Sequence, residues 1–219
     1  NATSNVLAGK LFGIPVKGTH AHSWIMSFPD EEKAFEAYSS ALPNNSIFLV
    51  DTYDTIEGVR EAIKTGHRLK KVGYPLNGIR LDSGNLEELS KTAREMLDFA
   101  GFKNTAIVAS NDLDEHRIHE LKKAKSPITV WGVGTRLITA AGQGALNGVY
   151  KMSALADTDG EWEYKMKLSE DTGKISNPGI LQVKRFYDSN DLPIGDAIFS
   201  IDDDEVKEIH ETNTSKIHN

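Results

Sequence analysis

Apolar residues recur along this chain with two alternating periods, and the alternation predicts its architecture. Between residues 55 and 69, Ile56, Val59 and Ile63 fall on one helical face, and Leu86, Leu89, Ala93, Met96, Leu97 and Ala100 repeat that spacing more fully. Ala34, Phe35, Tyr38 and Leu42 form a third stripe behind Pro29-Asp30, and Asp114 is placed to cap a fourth helix carrying Ile118 and Leu121. Between the stripes lie Ile47-Phe48-Leu49-Val50, Gly78-Ile79-Arg80-Leu81, Thr105-Ala106-Ile107-Val108-Ala109 and Ile128-Thr129-Val130-Trp131. These short runs, rich in β-branched and aromatic residues, read as buried parallel strands. With Pro15-Val16-Lys17 as the first, their starts are roughly 23 to 32 residues apart, the length of a strand, a crossover helix and two loops.

The expected fold class is therefore α/β, an incomplete (β/α) TIM-like barrel over residues 1–148, since a closed barrel needs about eight strands. The chain opens abruptly on a helix-like segment, Val6 to Phe12, as a fragment would. After Tyr150 the pattern changes to strands at 148–152, 162–166 and 182–188, with Asp157-Thr158-Asp159-Gly160 as a turn. Residues 149–219 are expected to be a smaller mixed β-rich segment ending in a frayed tail from Ile201 to Asn219.

Composition narrows the chemistry. At 219 residues and 39% hydrophobic, the chain can bury a substantial core. Zero cysteines removes thiolate metal sites and thiol nucleophiles together, leaving oxygen and imidazole groups. A net charge of −7 with no long basic stretch gives no reason to expect nucleic acid, and Lys122, Lys123 and Lys125 read as a solvated helix end. No apolar run approaches the roughly 18 residues of a membrane span, and the start lacks the order of a signal peptide, so a cytoplasmic protein is expected.

Each expected strand ends in a polar cluster: Gly18-Thr19-His20-Ala21-His22-Ser23, Asp51-Thr52-Tyr53-Asp54, Arg80-Leu81-Asp82-Ser83-Gly84, Ser110-Asn111-Asp112 and Gly132-Val133-Gly134-Thr135. In parallel α/β folds the carboxyl ends of the strands share one side, where ligands collect. On an extended strand His20 and His22 would face the same way and could bind a metal, as in a metal-dependent barrel hydrolase. An imidazole beside a phosphate site and without metal partners fits better as a nucleophile that carries a phosphoryl group. Asp51 and Asp54 could hold Mg²⁺ or ribose hydroxyls, with helix capping as the alternative for Asp54. Arg80 and Asp82 alternate around Leu81 and place a cation and a carboxylate in one pocket, or form an internal ion pair. Gly132-Val133-Gly134-Thr135 suits either a phosphate or a tight turn, and Asn111-Asp112 either a cap or a ligand contact.

Taken in order and spacing, these motifs resemble the nicotinate phosphoribosyltransferase family of type II phosphoribosyltransferases, from Thr3-Ser4-Asn5 to Lys167-Leu168-Ser169-Glu170-Asp171. The resemblance implies formation of nicotinate mononucleotide and pyrophosphate from nicotinate and phosphoribosyl pyrophosphate, coupled to ATP hydrolysis, in NAD salvage. It implies that ATP phosphorylates His22, that Arg80 stacks on or pairs with nicotinate, and that Asp82 and Asp51 hold ribose or Mg²⁺-pyrophosphate. Gly134 and Thr135 with Asn111 and Asp112 would receive the 5′-phosphate, and Thr19, Ser83, Gly84 and Gly132 join the substrate-binding set. The family's N-terminal domain and first barrel strands are absent from this sequence, so the chain resembles a C-terminal portion. A homodimer with a shared active site is expected of the whole enzyme. A non-catalytic phosphate-binding fragment is the reading from another class.

Overall fold

The computed structural model describes residues 2–139, 150–168 and 176–201, and alternate positions (142, 144, 146 and 148) between the first two stretches. The elements run α1 (Val6–Phe12), α2 (His22–Met26), α3 (Glu31–Ala41), β1 (Ile47–Leu49), α4 (Thr55–Lys71), β2 (Gly78–Leu81), α5 (Leu86–Phe99), β3 (Ala106–Ala109), α6 (Glu115–Lys123), β4 (Val130–Trp131), α7 (Thr135–Ile138) and then β5 (Ala154–Ala156), β6 (Trp162–Tyr164), β7 (Leu181–Tyr187) and β8 (Pro193–Ser200). They fall into two compact units, one within 1–149 and 168–171, the other within 150–167 and 172–219.

The first unit is α/β. Its strands pair in the order β1-β2-β3-β4, all parallel, and each successive pair is joined through α4, α5 or α6. The register sets Phe48 beside Ile79 and Ile79 beside Ile107, so the central layer is apolar from strand to strand. Helix stripes close over it. Phe35, Val59, Ala62, Leu69, Ala93, Leu97 and Leu121 join Phe48, Val50, Ile79, Leu81, Ile107 and Ala109 in one buried cluster.

Helix starts follow from short polar side chains. Asn5, Asp30, Asp54, Asn85 and Asp114 each accept a backbone N–H in the first turn of α1, α3, α4, α5 and α6, and such a cap contributes about 1 kcal/mol. Gly58 lets α4 lie against the end of β1, because a Cβ there would stand 2.1 Å from the Val50 carbonyl oxygen.

Two expectations fail, each for a reason of pairing. Pro15-Val16-Lys17 is no strand of the sheet. Pro15 has no N–H to give to a ladder, and Val16 makes only an isolated parallel bridge with Thr3. The strand expected at 148–152 is absent from its described residues, and Tyr150 is fully exposed. The turn at 157–160 pairs its nearest flanks instead, β5 with β6, Leu155 opposite Glu163. Asp157 Oδ1 fastens that turn by accepting the N–H groups of Asp159 and Glu161, and Gly160 takes the left-handed φ of 89°. In the same unit β7 and β8 form an antiparallel hairpin in which Arg185 grips Asp196 with two bonds of 2.7 and 2.8 Å. Residues 169–171 of the family resemblance and 202–219 of the expected tail, with His210 and His218, lie outside the described residues. Among the described residues no helix is long and apolar enough to cross a membrane.

Candidate active site at the strand ends

Successive strand ends deliver the polar side chains. Asp51 and Thr52 follow β1, Arg80 lies within β2 with Asp82 and Ser83 just beyond it, and Ser110 follows β3. The segment from Thr19 to His22 comes to the same place from the amino-terminal side. Arg80 is the hub: its Nε donates to Ser110 Oγ (2.9 Å), Nη1 to Thr19 Oγ1 (3.1 Å) and Nη2 to Asp82 Oδ1 (3.1 Å). The Ser110 hydroxyl also donates to Asp82 Oδ1. Arg80 and Asp82 side chains are 27% and 23% exposed, so the pair sits at a wall between core and solvent.

Asp51 lies deeper. Its Oδ2 accepts the Asp82 N–H (2.9 Å) and the Ser83 hydroxyl (2.5 Å), which fixes the backbone turn after β2 to the end of β1. Gly84 completes that turn with φ 71°. Asp51 Oδ1 is buried without a hydrogen-bond partner, a carboxylate oxygen ready for a ligand.

His22 opens α2, and its ring is held from both sides. Nδ1 is 3.1 Å from the buried Thr52 hydroxyl, and Nε2 is 3.6 Å from Asp82 Oδ2, an ion-pair distance rather than a hydrogen bond. Burial opposes ionisation of Asp82, but His22, the Ser110 hydroxyl and the Arg80 guanidinium together hold its carboxyl well below the usual range. The site therefore keeps a permanent negative charge beside an imidazole.

The two histidines do not form the facing pair expected of a metal site. Ala21 is the N-cap of α2, so the chain turns between them and the same-side relation of an extended strand is lost. His20 goes into the core, 6% exposed, with ring centroids 5.9, 4.8 and 6.3 Å from Phe35, Tyr38 and Phe48. Asp54 Oδ1 accepts the Glu57 N–H (2.9 Å) and caps α4, the alternative that the sequence left open for this residue. Among the described residues no three His, Cys, Asp or Glu side chains gather to hold a metal. A Mg²⁺ ion bound through one protein carboxylate and substrate phosphates fits the unpartnered Asp51 Oδ1.

The remaining residues border this network or stand apart from it. Asn111 and Asp112 continue the β3 end with positive φ of 97° and 46°, a strained backbone of the sort found where a chain is shaped around a ligand. Gly132 donates its N–H to Ala109 O, and a Cβ there would come 3.3 Å from Ser110 Cβ, so it lies against the network. Gly134 and Thr135 are exposed, with nothing near a Cβ at Gly134. Sequence reasoning missed Thr52 and Ser110 as members, although both lie in strand-end clusters. It also missed Glu31, for which no local signal exists. That carboxyl is buried without a partner for Oε1, and burial, reinforced by Glu61, Asp51, Asp54 and Glu57, pushes it up to about 8.

Parallel strands with buried and half-buried charges gathered at their carboxyl ends define an α/β protein whose polar side chains converge on one side of the sheet. The chain belongs to the nicotinate phosphoribosyltransferase (NAPRTase) family, whose model matches residues 1–191. It is 47% identical over 207 residues to the nicotinate phosphoribosyltransferase of Bacillus subtilis (strain 168), covering 93% of this chain and 41% of that protein. It is 36% identical over 261 aligned positions to that of Caenorhabditis elegans, covering 94% and 46%. A crystal structure of nicotinate phosphoribosyltransferase from Porphyromonas gingivalis superposes on 80% of this chain and 47% of its own, with a TM-score of 0.66 at 27% identity. The chain thus spans less than half the length of these relatives.

Proposed function

We propose that this chain carries the transfer site of an enzyme that makes nicotinate mononucleotide and pyrophosphate from nicotinate and phosphoribosyl pyrophosphate, with ATP hydrolysis coupled through a phosphohistidine at His22. The observation that carries this reading is the seating of His22 between Thr52 and Asp82. A nucleophilic imidazole needs a fixed ring orientation and a neighbour that stabilises the cation formed as it is phosphorylated, and these two side chains supply them. The β–γ P–O bond of ATP breaks, a P–N bond forms on the ring, and ADP leaves; water later releases phosphate.

Arg80 keeps two guanidinium N–H donors and a planar face beyond its bonds to Ser110, Thr19 and Asp82, which suits an anionic aromatic acid such as nicotinate. At the ribose, the C1–O bond to pyrophosphate breaks as the ring nitrogen of nicotinate attacks, and the carboxylates of Asp82 and Asp51 would stabilise the positive charge that develops. Asp51 Oδ1 would hold Mg²⁺, which neutralises the departing pyrophosphate. Asn111, Asp112, Gly132, Gly134 and Thr135 would take the 5′-phosphate, with Thr19, Ser83 and Gly84 shaping the mouth. The four strands form an arc of a (β/α) barrel in this reading, and the whole enzyme is a cytoplasmic homodimer with a shared active site.

A second reading, a non-catalytic phosphate-binding fragment, draws on the chain's span of less than half its relatives. Turnover of nicotinate and of nicotinamide by the native gene product, with and without ATP, separates the two. Nicotinate mononucleotide formed faster with ATP is expected; ligand binding with no product under any condition would contradict the enzyme.

A further inference from the structure

A parallel strand sends alternate N–H groups to opposite sides. Val50 donates its N–H to Arg80 O of β2, so the N–H of Leu49 points to the open side of β1. Among the described residues β1 pairs with β2 alone, and on that open side the hydrogen bond is taken by a side chain: His20 Nε2 accepts from Leu49 N at 3.2 Å. Both residues are buried. Leaving that N–H unmade would cost about 1–3 kcal/mol.

We propose that His20 is a positioning residue whose bond to the Leu49 N–H of β1 seats Thr19 and His22 in the site. The segment is fastened at a second point nearby, where Asn45 Nδ2 donates to Gly18 O at 3.1 Å and to the Tyr38 hydroxyl at 3.1 Å. Between these anchors and the start of α2 the chain has little freedom. Thr19 Oγ1 then meets Arg80 Nη1, and His22, two residues beyond the imidazole, meets Thr52. Phe35, Tyr38 and Phe48 pack the ring of His20 and set the direction in which Nε2 points.

The chemistry requires a neutral ring with Nε2 unprotonated, since only that tautomer accepts the Leu49 N–H. Burial supplies it, pushing His20 down to about 4, so the ring stays an acceptor at neutral pH. A phenylalanine at 20 would fill the aromatic pocket and break the bond, whereas the amide of glutamine extends far enough to place an acceptor where Nε2 stands.

The seating itself is independent of catalysis; only its consequence for phosphoryl transfer rests on the proposed role of His22. The test is NMR on the ¹⁵N-labelled chain, joined to kinetics of the native gene product. A scalar coupling across the hydrogen bond between the Leu49 amide nitrogen and His20 Nε2 is expected. His20→Phe should abolish it and shift both ring-nitrogen resonances of His22, and His20→Gln should return the His22 resonances to their original positions. In turnover, His20→Phe should lower kcat by about ten- to 100-fold, with His20→Gln recovering most of it. Absence of the coupling in the unaltered chain would overturn the proposal, as would His22 resonances indifferent to His20→Phe or, in an enzyme that turns over, a kcat indifferent to it. If the unaltered protein shows the coupling and the shift yet never turns over, the positioning stands and the reading of His22 as a phosphoryl carrier fails.

Discussion

The carboxyl ends of β1, β2 and β3 differ from that of β4 in how far each is built. At the first three, Thr19, His22, Asp51, Thr52, Arg80, Asp82, Ser83 and Ser110 hold one another in an ordered network. At the fourth, Gly134 and Thr135 are exposed and, among the described residues, make no such side-chain contacts. The difference has a chemical sense. Charges that must act on a reacting atom need preorganisation, which the interlocked side chains provide. A phosphate can be received by exposed N–H groups that need only an accessible backbone.

The largest expected effect lies on the built side. Asp82→Ala removes a partner that Arg80 and His22 share, and should lower the rate of nucleotide formation by about 10² to 10³-fold, measured as kcat with saturating substrates. An Asp82→Ala enzyme with ordinary kcat would show that the network is only structural.

Glu31→Gln follows. A carboxyl held near 8 in the fold, against 4.5 unfolded, binds its proton more tightly when folded, so its contribution is fully present below 4.5 and is lost as pH rises through 8. Glutamine keeps the neutral form at every pH. Its unfolding free energy should match the wild type near pH 4 and exceed it at pH 9 by a few kcal/mol, at most about 5. Equal stability at both values would place the Glu31 carboxylate in contact with solvent.

The smallest effect belongs to β4. A Cβ at Gly134 meets nothing, so Gly134→Ala should change stability by less than about 0.5 kcal/mol while raising KM for phosphoribosyl pyrophosphate. A large loss of stability would mean that the two regions are equally packed.

Local chemistry made much of this readable from the chain. Stripes such as Leu86-Leu89-Ala93-Leu97 and caps such as Asp114 depend on residues a few positions apart, and they placed the helices and the four parallel strands. What depended on distant partners stayed hidden. Val16 has the look of a strand, yet no neighbour pairs with it beyond Thr3. The β8 strand and its pairing with β7 left no strong signal, because Pro193 opens it and its exposed face is apolar and polar in turn. His20 and His22 share an i, i+2 spacing that suggests a pair, and only the start of α2 sends them to different places. Thr52 and Ser110 gained their roles from neighbours 30 residues away, His22 and Arg80.

The central claim, that the seated imidazole of His22 accepts a phosphoryl group, is met most directly by incubating the native gene product with γ-labelled ATP and Mg²⁺ and assaying acid-labile phosphate on the protein. Label on His22 that nicotinate and phosphoribosyl pyrophosphate discharge and that His22→Ala abolishes is expected. Label that survives His22→Ala, or a turning-over enzyme that never acquires label, would contradict it.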